Sequence, residues 1–260
     1  LKLSIITINL NNSRGLKKTL ESISQIVTPI IELIVIDGGS IDDSIRVIKS
    51  NKAIVNEFIS EPDKGIYDAM NKGIKLARGE FLFFLNSGDE ISPNINLQAI
   101  LKAAKLGPQL IAGHVMTISP DNTSQVWKTP NEFRFSSVAL GHLPHQGYWF
   151  NKEVFLKFGY YDDSLKIVAD WAFLLKLVSS GVTCIQTDCI FCTFYRDGIS
   201  NSPESKAAQD QERLKVLRQN YKNHMLDLEQ LNDLNNFKMY FFKRLFNYIS
   251  RVTAFRTPPR

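Results

Sequence analysis

A run of five apolar residues, Phe81-Leu82-Phe83-Phe84-Leu85, stops abruptly on Asn86-Ser87-Gly88-Asp89. No other stretch constrains the fold as strongly. A continuous, aromatic-rich run of that length, entered through Gly79, reads as a strand buried on both faces. Such strands belong to parallel sheets covered by helices, so the rest of the chain must supply those helices. The change to oxygen-bearing side chains puts acceptors, one of them a carboxylate, at the strand's carboxyl end. Gly88 allows a tight turn or the close approach of a ligand. Open α/β sheets bind ligands at that edge. By itself the stretch reads equally well as an ordinary strand and a polar turn, and the flanking sequence has to decide.

Upstream, the pattern alternates. Leu3 to Ile8 reads as a buried strand ending on Asn9-Leu10-Asn11-Asn12, and Gly15 to Ile26 repeats apolar residues at helical spacing, with Ser13 as its cap. Ile31 to Ile36 is a second strand ending on Asp37-Gly38-Gly39-Ser40, and Asp42-Asp43 open a second helix. Ala53 to Ile59 is a third strand, Glu61 to Gly65 a loop, and Ile66 to Ala77 a third helix. Three strand–helix units closed by the Phe81 strand predict a parallel sheet whose carboxyl ends share one edge. Asp37, Asp89 and the loop at Asp63 converge there. Acidic loops make a poor site for a bare anion. They suit a polar ligand, or a phosphate ligand accompanied by a metal ion.

Downstream, the pattern predicts a helix over Asn96–Lys105, a strand over Leu110–Ile118 carrying His114, and a polar loop from Ser119 to Glu132. It then predicts a short helix from Phe150 to Phe158, a helix from Val168 to Ser179 with Asp170 in its first turn, and a strand over Thr183–Tyr195. Arg196-Asp197-Gly198-Ile199-Ser200 is a polar turn suited to a mobile loop. Ser202-Pro203 starts a last helical region. Its end interleaves Phe237, Phe241, Leu245, Ile249 and Val252 with basic residues.

Charge and cysteine content exclude some classes. Six of the 31 basic residues and none of the 26 acidic ones lie beyond Asn235, which leaves residues 1–234 with a net charge of −1. The basicity belongs to the tail, and general nucleic-acid binding by the main body is not expected. No apolar run approaches the ~18–20 residues of a membrane span, and the amino end does not read as a signal peptide. Three cysteines, an odd count, argue against a disulfide framework and for a reducing compartment. Cys189 and Cys192 match C-x-x-C without a second pair, a pattern that fits buried strand cysteines better than a metal or redox site.

These motifs, in order, resemble bacterial family 2 glycosyltransferases of the GT-A fold, especially those of exopolysaccharide, capsule and O-antigen assembly. The matching stretches are Ser4–Asn12, Asp37–Asp42, Ser60–Gly73, Ala77–Glu80, Leu85–Asp89, His145-Gln146, Ala169-Asp170 and Gly198-Ile199-Ser200. The resemblance implies an α/β, GT-A domain over residues 1–200, a Rossmann-like nucleotide-binding half with a mixed central sheet. A helical, basic and amphipathic extension follows over 201–260. It implies an inverting hexosyl- or N-acetylhexosaminyltransferase that uses a nucleotide-sugar, with UDP expected, and acts on a lipid-linked or growing glycan.

By the same resemblance Ile8, Asn9 and Leu10 wall the base and Asp37 contacts it. Asp63, Tyr67 and Asp68 line base and ribose, Asn86 and Ser87 touch the donor, and Asp89 holds Mg²⁺ or Mn²⁺. The chain departs from the family where many members carry an Arg in the third helix and it has Met70, and where only Asp89 of the metal motif is acidic. Asp170 is implied as the base that takes the acceptor's proton, made more basic by desolvation beside Trp171. His145, Trp149 and Arg196 are implied at the acceptor side or in a lid, although core packing accounts equally well for the aromatics.

The tail, residues 237–256, suits either the anionic inner face of a membrane, as a peripheral contact from the cytoplasm, or packing on the main domain or a second subunit. Two rival readings are a nucleotidyltransferase and a non-catalytic nucleotide-sugar binding protein. The first wants a Gly-rich triphosphate loop after the first strand, where this chain has Asn9–Arg14. The second is supported only by the thinned metal motif.

Overall fold

A computed structural model of the protein describes residues 2–141, 144–196, 203–225, 227, 228 and 230. Four parallel strands, β1 (Leu3–Asn9), β2 (Ile31–Asp37), β3 (Glu57–Ser60) and β4 (Phe81–Phe84), run in the order β3-β2-β1-β4. The helices α1 (Ser13–Ser24), α2 (Ser44–Ser50) and α3 (Ile66–Leu76) connect them. Beyond β4 the sheet becomes mixed. β8 (Tyr148–Asn151) pairs antiparallel with β4 and with β6 (Leu110–Ile118), β9 (Cys184–Tyr195) lies parallel to β6, and β5 (Glu90–Ile91) closes the far edge. A short β7 (Ser124–Trp127) pairs with β6 off this path. Further helices are α4 (Leu97–Ala104), α5 (Phe135–Leu140), α6 (Glu153–Phe158), α7 (Ala169–Ser179) and α8 (Pro203–Asn220), and a 3-10 turn covers His145–Gly147.

β4 shows why the aromatic run folds as it does. Phe81, Phe83 and Leu85 enter one core with Leu16, Leu20, Ile100 and Trp149. Phe84 faces the other side, against Phe150, Phe155 and Tyr161 at centroid distances of 5.6–6.2 Å. All five residues from Phe81 to Leu85 are fully buried. At ~1.5–3 kcal/mol for each buried large apolar side chain, this strand anchors both layers.

Four expectations change in detail. The helix expected over Phe150–Phe158 is strand β8 followed by α6, because Trp149 and Phe150 pack on opposite faces with period two. The third strand covers only Glu57–Ser60 at the sheet edge, and the chain before it turns through Ile54 N–H to Asn51 O at 3.0 Å. The polar loop over Ser119–Glu132 contains β7, reached by a turn in which Asn122 takes φ +62°. The cap of α1 is Asn12, not Ser13, since its side chain accepts from Gly15 N–H at 3.0 Å.

By its internal contacts the chain divides into a unit Leu1–Arg213, which holds the whole sheet, and a unit Leu214–Arg260. Asp197–Ser200, Ser202 and the segment 237–256 lie outside the described residues. Among the described residues no helix is long and apolar enough to cross a membrane.

The amino-terminal edge of the sheet is closed by a latch around the buried Glu32. Glu32 Oε2 accepts from the Ser4 hydroxyl at 2.6 Å and from Arg78 N–H at 2.8 Å, and its Oε1 pairs with Arg78 Nε at 2.7 Å. Ser4 Oγ in turn accepts from Gly79 N–H at 2.8 Å. The Ala77–Glu80 motif thus secures the entry to β4.

Candidate active site

At the carboxyl edge the strand register sets Asn9, Asp37 and Ser60 side by side. Asp37 is wholly buried. Its Oδ1 accepts from Asn9 Nδ2 at 2.8 Å and the Ser40 hydroxyl at 2.6 Å, and its Oδ2 from Ser40 N–H at 2.9 Å and the Ser60 hydroxyl at 2.7 Å. Burial pushes its pKa up, but the Ser40, Asn9 and Ser60 donors outweigh that and hold it below the usual carboxylate range. Four donors fill the acceptor sites of a carboxylate. Asp37, expected to receive a base N–H, is therefore already satisfied and orders the loop after β2. Asn9 extends the network: Nδ2 also reaches Ser44 Oγ at 2.9 Å, and Oδ1 accepts from the Ser87 hydroxyl at 2.8 Å. Ile8 is buried beneath, and Leu10 is 56% exposed at the rim.

The carboxylate left facing this rim is Asp63. A Cβ at Gly38 would stand 2.6 Å from Asp63 Oδ2 and 3.3 Å from Leu10 Cδ1, so Gly38 makes room for both. Desolvation pushes the Asp63 pKa up, against the Gly65 N–H, which donates to Oδ1 at 3.1 Å. Asp68 fastens the same loop. It accepts from Lys64 N–H at 3.0 Å and lies 3.7 Å from Lys72 Nζ. Tyr67 points elsewhere, into the cluster around Asp170.

The turn after β4 hangs from β1 and α1. Ser87 N–H donates to Ile8 O at 3.0 Å, Gly88 N–H to Thr19 Oγ1 at 3.0 Å, and the Thr19 hydroxyl to Asp89 O at 2.6 Å. Gly88 takes φ +106°, which only glycine adopts without strain. The Asp89 side chain is buried and accepts from Gln146 Nε2 at 2.9 Å through Oδ2. On the same turn the Asn86 amide oxygen is buried with no donor. An orphaned oxygen close in sequence to a buried carboxylate fits a hard, oxygen-seeking cation. Among the described residues no group of three or more His, Cys, Asp or Glu could hold a metal. A cation here therefore needs further oxygens from its ligand.

Asp170, in the first turn of α7, is the centre of the third cluster. Its Oδ2 lies 3.0 Å from His145 Nδ1, and its Oδ1 accepts from the Tyr67 hydroxyl and from Trp171 N–H, both at 2.9 Å. The Tyr67 hydroxyl also reaches Ile167 O at 2.7 Å. Desolvation is the largest influence on Asp170 and raises its pKa, as expected, but His145, Trp171 N–H and Tyr67 together reverse the sign. The net shift is downward, so the expected gain in basicity is overturned and the group is ionised at neutral pH. Asn71 and Tyr161 tie α3 to the segment before α7 through two bonds of 2.9 and 3.0 Å.

Three further expectations concern Trp149, Arg196 and the cysteines. Trp149 is fully buried and stacks on Phe83 at 4.7 Å, so it belongs to the core and offers no sugar platform. Arg196 lies with its guanidinium 5.6 Å from the Trp127 ring centroid. The cysteines are free. Burial pushes the Cys184 thiol up to about 12 and holds the Cys192 thiol well above the ordinary thiol range, as befits inert strand thiols. Sequence reading gives no role to Ser40, Ser60 or Thr19, and takes Asn71 only as the end of a stretch, Lys64–Asn71, lining base and ribose. Ser40 and Ser60 each stand three residues from a singled-out acid, Asp37 and Asp63, and that spacing is the available signal.

Comparison with known proteins points to one family. The family model for glycosyl transferase family 2 matches residues 4–165. An uncharacterised glycosyltransferase of Mycobacterium tuberculosis is 34% identical over 212 residues, 78% of this chain and 79% of the relative. A PGL/p-HBAD biosynthesis glycosyltransferase of Mycobacterium bovis is 26% identical, over 76% of this chain and 79% of the relative. Among solved structures, S. aureus TarS residues 1–349 in complex with UDP superposes with a TM-score of 0.65 at 16% identity, covering 84% of this chain and 64% of that one. The chain spans 37% of a longer TarS structure. The mannosyltransferase PcManGT from Pyrobaculum calidifontis, with GDP-Man and Mn²⁺, gives a TM-score of 0.56 at 16% identity over 74% of this chain and 56% of that one. These likenesses show the GT-A fold.

Proposed function

The chain belongs to glycosyl transferase family 2, and from that premise we propose that it moves a sugar, with inversion, from a UDP-sugar to a hydroxyl of a lipid-linked or growing glycan in cell-surface polysaccharide synthesis. The observation that carries this reading is the His145–Gln146 pair. These neighbouring side chains hold two carboxylates, His145 at Asp170 and Gln146 at Asp89. One short turn thereby sets a proton acceptor beside a candidate cation site, which is what an inverting transfer to a hydroxyl requires.

In this reading the acceptor oxygen attacks the anomeric carbon from the face opposite the diphosphate. Its proton passes to Asp170 as the new C–O bond forms. The bond from the anomeric carbon to the diphosphate oxygen breaks, and the electron pair leaves with the diphosphate. Asp170 is available because its pKa is held low and the group is ionised. It need not be a strong base, since the hydroxyl becomes acidic only as it attacks. Mg²⁺ or Mn²⁺ would be held by Asp89 and the Asn86 amide oxygen, and when bound it neutralises charge on the leaving diphosphate. Asp63 and the rim at Leu10 would receive the base, with Asp37, Asn9 and Ser87 holding their loops in place.

The UDP and UDP-GlcNAc complexes of TarS support a uridine donor, and the Mn²⁺ complex of PcManGT supports a divalent cation. The basic, aromatic segment 237–256 would bring the enzyme to an anionic membrane that carries such an acceptor. A thermal-shift series with UDP, GDP, CMP and dTDP, with and without Mn²⁺, tests the reading on wild type and Asp89→Ala. Stabilisation by UDP that needs Mn²⁺ and is lost in the variant is the expected result. No response to any nucleotide would overturn it.

A further inference from the structure

Helix α8 carries a residue that nothing in the transfer chemistry assigns. Glu212 projects its carboxylate at the segment just before α7. Oε1 accepts from Lys166 N–H at 2.8 Å, and Oε2 from Ile167 N–H at 3.0 Å and Val168 N–H at 3.3 Å. An anion on three consecutive peptide N–H groups is a strong, charge-assisted anchor. α7 has no side-chain cap of its own, since its N-cap residue is Val168. Glu212, from a distant part of the chain, instead fastens the three peptides that lead into the helix.

The Val168 N–H belongs to the same peptide group as the Ile167 carbonyl. That carbonyl accepts from the Tyr67 hydroxyl, which also donates to Asp170. Tyr67 has one hydrogen and two acceptors. Whatever fixes and polarises the Ile167–Val168 peptide therefore decides how much of that hydrogen Asp170 receives. Beside Glu212, Arg213 sets its guanidinium 4.9 Å from the ring centroid of Trp171, the residue after Asp170. The groups facing Asp170 are then His145, Tyr67, Tyr161 and Arg213.

We propose that Glu212 is a positioning residue for Asp170, acting through the Ile167–Val168 peptide and the shared Tyr67 hydroxyl. The assignment deepens the reading of Asp170 as the proton acceptor and rests on it. It also places the start of the carboxyl-terminal helical region, beyond the span matched by the family model, within the apparatus of transfer.

The test uses the full chain and Glu212→Gln, which keeps the shape and removes the charge. UDP release from UDP-N-acetylglucosamine with Mn²⁺ reads turnover. Backbone amide exchange at residues 166–168 reads the anchor without substrate. The expected result is a roughly tenfold fall in kcat with donor KM changed less than about twofold, and faster exchange at those amides. Tyr67→Phe removes the shared hydrogen, so adding Glu212→Gln to it should cost less than about twofold more. Additive losses, equal changes in kcat and KM, or unaltered exchange would each overturn the assignment. If Glu212→Gln does not fold, Glu212→Asp, which keeps the charge on a shorter arm, is read on the same split, and an unchanged kcat there overturns it. Activity retained in Asp170→Asn would instead sink the reading of Asp170. Asp170→Asn inactive beside an unaffected Glu212→Gln would sink this inference alone.

Discussion

The two ends of strand β2 each bury a carboxylate, and each is held in a different way. At the amino end Glu32 meets Arg78, so the latch of Ser4, Glu32, Arg78 and Gly79 is closed in both charge and hydrogen bonding. At the carboxyl end Asp37 is held by neutral donors from Asn9, Ser40 and Ser60. Asp63, Asp89 and Asp170 stand on loops or a helix start beyond it. A latch that completes its own charge serves the fold. An edge that gathers carboxylates and leaves Asn86 Oδ1 without a donor keeps bonding capacity for a ligand. Family motifs occur at both ends, so a recurring motif does not by itself say which end does chemistry.

The contrast predicts that changes at one end cost rate and changes at the other cost stability. The largest effect is expected for Asp170→Asn, which keeps the volume and the His145 neighbour but cannot take a proton. Turnover should fall by ~10²–10⁴-fold, with the melting temperature within a few degrees of wild type. A variant that unfolds without losing specific activity would erase the distinction. At the latch, Gly79→Ala puts a Cβ 2.5 Å from Ser4 Oγ and 2.6 Å from Ser4 N, where backbone must move. The expected cost is roughly 2–3 kcal/mol, or a melting temperature lower by ~5–10 °C in a domain of this size. UDP affinity at low temperature should be unchanged.

Glu32 makes the latch pH-dependent in a defined direction. Burial raises its pKa, but Ser4 and Arg78 pull it below the ordinary carboxylate value. A folded-state pKa below the unfolded one means stability that is present above the unfolded value, near 4.3, and lost as pH falls through the folded one. Glu32→Gln should then cost ~2 kcal/mol in urea unfolding at pH 7, and the gap to wild type should shrink as pH falls below about 4. A gap that persists unchanged into acid would mean that shape, not charge, holds the latch.

The layered fold was legible because its cause is periodic. Three strand–helix units and the Phe81–Leu85 run each announce themselves within a few residues. The residues of the candidate site were legible where an acid ends a strand, as at Asp37 and Asp89, and, through the family resemblance alone, at Asp170 and His145. What each acid does there was not legible, because that depends on donors from other strands and loops. Asp37 is saturated by Ser40 and Ser60, and Asp170 is lowered instead of raised, by His145 25 residues and Tyr67 103 residues away in sequence. Phe150 reads as the start of a helix because a short apolar run has no period of its own, and Trp149 before it falls to the acceptor side or the core. Their opposite burial appears only once β4 and β6 flank them.

The smallest expected effect is also the sharpest test of the contrast, because it makes the same substitution at the opposite edge. Gly38→Ala puts a Cβ 2.6 Å from Asp63 Oδ2 and 3.3 Å from Leu10 Cδ1. Both are ends of side chains at the rim and can swing away, where Ser4 at the latch cannot. The stability change should be under about 1 kcal/mol. The displaced Asp63 carboxylate should weaken UDP binding by about fivefold, close to 1 kcal/mol. Calorimetric titration of UDP with Mn²⁺ beside a melting curve reads both. If Gly38→Ala melts as early as Gly79→Ala, the two edges are equally rigid and the division between latch and site fails. If it binds UDP like wild type, Asp63 does not meet the nucleotide, and the base must rest on Leu10 and the backbone of the β1 loop alone.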